Sequence, residues 1–264
     1  MTRLRYILDT RKPRKIGLIV LQADETIELD FRRLFPHEIE LFVSRIPSGA
    51  DLTQDSIGEM AHNLSDAARL LPQPASMRGV YFGLDAIGYA CTSATAQIGT
   101  ANVARLILDG ALTQYVSEPV SALIAACRRL DIRRLGILSP YVAPISARLR
   151  AVLRAQDIET PAFASFEESS EARVVRISAQ SVYDGALAVA AQAPADAPLE
   201  GLFLSCTNLR TLDVIPALED HLGIPVFSSN QVLAWDLLWH TQRMSEPATF
   251  VIPGRLGHTS PTRP

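Results

Sequence analysis

Two four-residue segments, Ala90-Cys91-Thr92-Ser93 and Ser205-Cys206-Thr207-Asn208, lie 115 positions apart, each closing an apolar run and opening a stretch with helical spacing. Each offers a thiol, a hydroxyl, and then a second hydroxyl (Ser93) or an amide (Asn208). A thiolate is the reactive form of cysteine, and the first turn of a helix is a place where a thiol pKa falls. Hydroxyl and amide donors beside it can hold a carboxylate. The pairing suggests one thiol from each half of a pseudo-symmetric molecule, meeting at a shared cleft. Single free cysteines are more often small buried hydrophobes, and it is the matched pair that shifts the reading to function. Cys127, inside the helical Ala122-Leu-Ile-Ala-Ala-Cys-Arg-Arg129, has no counterpart and reads as packing.

The elements that must position these groups follow from the apolar pattern. Aliphatic runs bounded by turn residues alternate with helical stretches, which indicates an α/β fold with parallel sheets flanked by helices. Strands are expected at Ile16–Leu21, Ile39–Ile46 and Ala86–Cys91, with helices at Glu25–Leu34, Thr53–Leu71 and Ala96–Leu108. A second cycle starts at Arg134–Ser139, whose Gly136 among aliphatics echoes Gly17 in the first strand. It continues with helices at Ile145–Gln156 and Gln180–Gln192, a strand at Gly201–Ser205, a helix at Leu209–Leu222 and a short strand at Ile224–Phe227. The strongly apolar helix Ser228–His240 reads first as core, with a bridge between lobes or an oligomer contact as the alternative. The expected division is one lobe from 1–118 with 229–264 and another from 119–228, the last twenty residues forming a Pro-rich tail.

In open α/β sheets, ligands collect at the carboxyl ends of the strands. Asp24 ends the first strand and either faces a ligand or caps the next helix. Tyr141 follows the echo strand and either donates to a carboxylate or covers the sheet as a loop aromatic. Composition removes several classes. The formal charge of -3 and the absence of a Lys/Arg block beside aromatics speak against nucleic acid. No apolar run is long enough to span a bilayer, and the basic stretch Met1–Lys15 lacks an apolar signal core, so the chain reads as cytoplasmic and without a membrane partner. Three cysteines make no disulfide framework, and the five histidines have no zinc spacing, so no metal is expected. The only lysines, Lys12 and Lys15, precede the first strand, which disfavours a pyridoxal phosphate enzyme or a P-loop. No GxGxxG follows a strand either, and no cofactor is expected. The partners expected are a small carboxylate and further copies of the chain in a homo-oligomer.

The segments Gly17-Leu-Ile-Val20, Tyr89-Ala-Cys-Thr-Ser-Ala-Thr95 with Gly99, Leu138-Ser-Pro-Tyr141, and Ser205-Cys-Thr-Asn-Leu-Arg210 with Pro225 to Trp235 resemble the aspartate/glutamate racemase superfamily. Within it they are similar to the branch of maleate cis-trans isomerases, arylmalonate decarboxylases and, most of all, the racemase-like proteins of ectoine utilisation. The resemblance implies a cofactor-free enzyme of two pseudo-symmetric lobes. It also implies that Cys91 and Cys206 are the catalytic pair, with Thr92, Ser93, Tyr141, Thr207 and Asn208 holding a carboxylate. Decarboxylases of this branch use a single cysteine in the second half, so two cysteines argue for a racemase or isomerase. Where maleate isomerases tend to carry asparagine after the first strand, this chain has Asp24, which repels an anion and suits an ammonium group. The leading expectation is therefore racemisation of a small amino acid such as 2,4-diaminobutyrate or a derivative. Maleate cis-trans isomerisation is the alternative, followed by an arylmalonate-type decarboxylase or a non-catalytic metabolite-binding protein.

Overall fold

The computed structural model describes residues 4–9, 11–49, 53–73, 75–77, 80–242 and 252–259. The first half runs β1 (Arg14–Leu21), α1 (Ile27–Leu34), β2 (Ile39–Ile46), α2 (Gln54–Arg69), a small antiparallel pair β3 (Ala75–Met77) and β4 (Val80–Phe82), β5 (Leu84–Ala90), α3 (Thr92–Ile98), α4 (Thr100–Gly110) and β6 (Thr113–Ser117). The second runs α5 (Pro119–Arg129), β7 (Leu135–Tyr141), α6 (Ala143–Arg154), β8 (Phe163–Glu168), α7 (Glu171–Val174), α8 (Ala179–Ala190), β9 (Gly201–Leu204), α9 (Ile215–Leu222), β10 (Val226–Ser228) and α10 (Ser229–Thr241).

Two four-stranded sheets result, ordered β2-β1-β5-β6 and β10-β9-β7-β8, and every pairing in them is parallel. Numbered within its own half, each sheet reads 2-1-3-4. The strand order thus switches direction between β1 and β5 in one sheet and between β7 and β9 in the other, and such a switch opens a crevice at the carboxyl ends of the strands. Asp24 and Cys91 follow the two strands at the first crevice, while Tyr141 and Cys206 stand at the second.

The central strands are buried on both faces, as parallel strands under helices must be. Gly17 and Gly136 occupy corresponding places in them because there is no room for a side chain. A Cβ on Gly17 would lie 2.8 Å from Leu71 and 2.9 Å from Leu84, and one on Gly136 would lie 2.7 Å from Leu199. Helix α10, nearly all buried, packs on α5, β5, β6 and α1.

Several expectations are corrected. The single helix expected over Ala96–Leu108 is two, broken at Gly99, whose φ of 90° ends α3. The helix expected from Leu209 starts only at Ile215, after a turn and a 3-10 segment at Leu212–Val214. The structure adds edge strands β6 and β8 to those expected from the aliphatic runs. The tail expected over residues 245–264 lies outside the described residues except for 252–259, where Arg255–His258 form a 3-10 turn.

Candidate active site

Cys91 leaves the end of β5 in an extended conformation and caps α3, its Sγ accepting the Ala94 N–H at 3.3 Å. Cys206 arrives differently. It lies two residues beyond β9 in an irregular turn, with φ 108°, a conformation that costs a non-glycine residue on the order of 1–3 kcal/mol. The expectation that both thiols sit at helix N-termini thus holds for Cys91 alone.

Three bonds hold Cys206 in this strained shape. Its N–H donates to Ser229 Oγ at 2.9 Å, the Asn208 N–H donates to its Sγ at 3.2 Å, and the Tyr141 hydroxyl lies 2.9 Å from its Sγ. Ser229 Oγ is also 2.8 Å from Thr92 Oγ1, so one serine at the head of α10 ties the Cys91 turn to the Cys206 turn. Thr207 adds a second tie, donating from Oγ1 to the Ala90 carbonyl at 3.2 Å. Asn230 closes the arrangement from the same helix, donating to the Thr207 carbonyl at 2.9 Å and to Asp30 Oδ2 at 2.7 Å.

Glu171, at the head of α7, is the site residue the sequence reading missed. Its Oε1 accepts from the Tyr141 hydroxyl at 2.6 Å and its Oε2 from Asn208 Nδ2 at 2.9 Å, and the residue is 2% exposed. The acidic run Glu167-Glu168-Ser-Ser-Glu171 looks like a solvated loop. The available signal is that Glu171 shares a helical face with Val174, three positions on and fully buried. Ser229 was missed for a similar reason, since Ser228-Ser-Asn-Gln231 reads simply as a helix start; Ser228 and Gln231 do form a capping box there.

Asn208 works as a strut between elements. Its Oδ1 accepts the Glu25 N–H at 2.9 Å, and its Nδ2 reaches the Glu171 carbonyl at 3.3 Å as well as the Glu171 carboxylate. The loop after β1 is fixed on its other side by Arg45, whose guanidinium donates to the carbonyls of Leu21, Gln22 and Asp24 at 3.0, 3.1 and 3.0 Å and pairs with Glu28. Asp24 does cap α1 locally, Oδ1 accepting the Thr26 and Ile27 N–H groups at 2.8 and 2.9 Å. Its Oδ2 is buried with no hydrogen-bond partner among the described residues, although Thr207 stands near enough to favour the ionised form. Ser93, at 9% exposure, is the most accessible of the candidate side chains.

The electrostatics depart from the expected lowered thiol pKa. Burial pushes the Cys91 thiol up to about 12 and the Cys206 thiol well above its ordinary range. The carboxylates of Glu171 and Asp24 push both thiols further in the same direction. Burial likewise raises Asp24 and Glu171 above the usual carboxylate range. Cys127, within α5, is pushed up to about 12 by burial alone. Among the described residues no group of three or more His, Cys, Asp or Glu side chains is placed to hold a metal ion, and no helix is long and apolar enough to cross a membrane.

Comparison with known proteins gives a consistent picture. The sequence profile of the arylmalonate decarboxylase family matches residues 16–250. An arylmalonate decarboxylase of Bordetella bronchiseptica is 26% identical over 225 residues, covering 84% of this chain and 88% of the relative. A maleate isomerase of Nocardia farcinica is 25% identical over 237 residues, covering 85% and 89%. Among solved structures, a maleate isomerase of Pseudomonas putida with maleate superposes with a TM-score of 0.77 at 20% identity, over 93% of this chain and 98% of the other. A Nocardia farcinica maleate cis-trans isomerase carrying a covalently bound succinylcysteine intermediate superposes with a TM-score of 0.75 at 20% identity, over 92% and 97%.

Proposed function

This chain belongs to the arylmalonate decarboxylase family, and from that premise we propose that it is a cofactor-independent two-cysteine isomerase that inverts a small amino acid. The observation that carries the reading is the equivalent placement of Cys91 and Cys206. Each follows the third strand of a sheet with the same strand order, and the two turns are tied together by Ser229 Oγ, which meets the Cys206 N–H and the Thr92 hydroxyl.

In the proposed reaction the substrate lies between a lobe of 1–118 with 229–264 and a lobe of 119–228. One thiolate takes the Cα proton and becomes a thiol. The electron pair left on carbon delocalises into the carboxylate as an enediolate, and the other thiol returns a proton to the opposite face, becoming the thiolate. Thr92 and Ser93 donate to the substrate carboxylate, with Tyr141, Thr207 and Asn208 completing the wall. Each donor aimed at the developing charge supplies about 3 to 4 kcal/mol in a buried site.

The unpartnered Oδ2 of Asp24 supports an ammonium-bearing substrate over a dicarboxylate, because a second anion beside a buried carboxylate is repelled in low dielectric. 2,4-Diaminobutyrate and its derivatives are the first substrates to try. Maleate cis-trans isomerisation remains the second reading on the strength of the Nocardia farcinica relatives.

The test is a screen of single enantiomers of 2,4-diaminobutyrate and neutral amino acids in heavy water, alongside maleate and an arylmalonate. Deuterium at Cα with loss of optical activity is the expected result. Cys91→Ser and Cys206→Ser are each expected to lower racemisation at least 1000-fold, by the magnitude typical of removing a reacting group. Asp24→Asn is expected to raise KM for the amino acid. Conversion of maleate to fumarate with no deuterium in any amino acid would replace this reading with the second, and carbon dioxide release from the arylmalonate would replace it with decarboxylation.

A further inference from the structure

We propose that Cys206 and Glu171 share one proton through the Tyr141 hydroxyl, so that Glu171 is the internal acceptor that lets Cys206 become a thiolate without any change in the net charge of the site. The inference rests on the reading above only in taking Cys206 as a reacting thiol. It adds a residue, Glu171, and an asymmetry between the two cysteines.

The geometry is a continuous chain of heavy atoms. Cys206 Sγ to Tyr141 Oη is 2.9 Å, and Tyr141 Oη to Glu171 Oε1 is 2.6 Å. A phenol has one proton, so when it donates to an ionised Glu171 its oxygen is left to accept from the thiol. Transfer then breaks the Cys206 S–H bond and forms a Tyr141 O–H bond, while the original Tyr141 O–H bond breaks and a Glu171 O–H bond forms. The negative charge moves from carboxylate to sulfur, and no proton enters or leaves.

Asn208 serves both ends of this transfer. Its Nδ2 donates to Glu171 Oε2 at 2.9 Å, and its backbone N–H donates to Cys206 Sγ at 3.2 Å, so the anion is met by a donor wherever it resides. A thiolate formed by losing its proton to water would instead add a second buried charge beside an ionised Glu171. The other titratable groups in the field of the chain are Asp24, which acts on Cys206 and Glu171, and Cys91, which feels Glu171. The arginines that follow Glu171 are held elsewhere, Arg173 by Glu168 and Arg176 by Glu25 and the Ala172 carbonyl.

Cys91 differs. Its sulfur accepts the Ala94 N–H, and the neighbouring Tyr89 hydroxyl meets Met60 Sδ at 3.6 Å rather than a carboxylate. Of the two thiols, Cys206 is therefore the one with a tyrosine-linked carboxylate to take its proton.

Glu171 is a positioning residue, and the signature of a shared proton is a pH profile. Two groups that share one proton titrate as a pair. Once Glu171 has ionised, raising the pH no longer changes the ratio of thiolate–carboxylic acid to thiol–carboxylate. The rate of Cys206 alkylation by iodoacetamide, resolved by peptide mass spectrometry between about pH 6 and 10, is then expected to rise and level off. In Glu171→Gln the thiolate forms only by loss of a proton to solvent, so the rate is expected to climb about tenfold per pH unit without a break. Two pH units above the break the variant thiol should react roughly 100-fold faster than the native one.

Cys127 alkylation and circular dichroism report whether the variant is folded. The native profile alone keeps the proposal falsifiable, since an uninterrupted tenfold climb per pH unit in the native protein overturns it. A levelled profile that persists in folded Glu171→Gln also overturns it. No substrate is used, so a levelled native profile in a protein that inverts no amino acid would uphold the shared proton while ending the racemase reading.

Discussion

At the scale of single residues, the site is built from side chains that serve two partners at once. Ser229 is the sharpest case, since a single hydroxyl meets the Cys206 N–H at 2.9 Å and the Thr92 hydroxyl at 2.8 Å. Ser229→Ala leaves a buried N–H without its acceptor and releases the restraint on the strained φ of 108° at Cys206. The expected loss is about 1–3 kcal/mol of stability, read by urea denaturation. In the proposed racemisation, turnover should fall more than tenfold through kcat, because the serine shapes the Cys206 turn, with a smaller rise in KM through its bond to Thr92. An equal rise in KM would assign Ser229 to substrate binding instead.

At the scale of elements, the carboxyl ends of the central strands place the chemistry, and small irregularities refine it. Tyr141 ends β7 beyond a shift in the pairing with β8, between Ser139 and Tyr141, and Glu167 on the partner strand takes a φ of 53° there. A bulge of this kind redirects a side chain, and it tolerates Pro140 inside a sheet strand. Gly17 and Gly136 let the covering side chains press onto β1 and β7. Gly17→Val would push a branched side chain into Leu71 and Leu84, and is expected to cost about 1–3 kcal/mol in chemical denaturation; a neutral result would mean that α2 and its following turn can withdraw freely.

These elements also mark the limits of reading the chain alone. The buried central strands announce themselves as unbroken aliphatic runs, and the glycine echo marks corresponding strands because the same close packing operates in both. The edge strands β6 and β8 escape notice because an edge has one unpaired side and tolerates polar residues: Thr113-Gln-Tyr-Val-Ser117 and Phe163-Ala-Ser-Phe-Glu-Glu168 hold no apolar run. Cys91 and Cys206 are legible as a pair because their neighbours match. Glu171 and Ser229 are not, because what brings them to the thiols is the crossing of α7 and α10 over strand ends 35 and 23 positions away, a tertiary fact with only a faint trace in local sequence. The turn at Cys206 is likewise invisible, since Thr207 to Arg210 has nothing that forbids a helix.

At the scale of the whole molecule, two sheets of the same 2-1-3-4 order bring two crevices together, with α10 reaching both through Ser229 and Asn230. The duplication explains why each half supplies one cysteine, and the departures from symmetry explain why the two differ: Cys91 caps a helix, while Cys206 sits in a strained turn wired to Tyr141 and Glu171. A two-sided reaction needs both sulfurs in one cavity, and that requirement can be tested before any substrate is known. Treatment of the folded protein with 1,3-dichloroacetone, which joins two thiols through a three-carbon bridge, should yield a peptide linking Cys91 to Cys206 as the main product, with Cys127 unmodified. Separate single adducts on Cys91 and Cys206, with no linked peptide at full modification, would contradict the shared site.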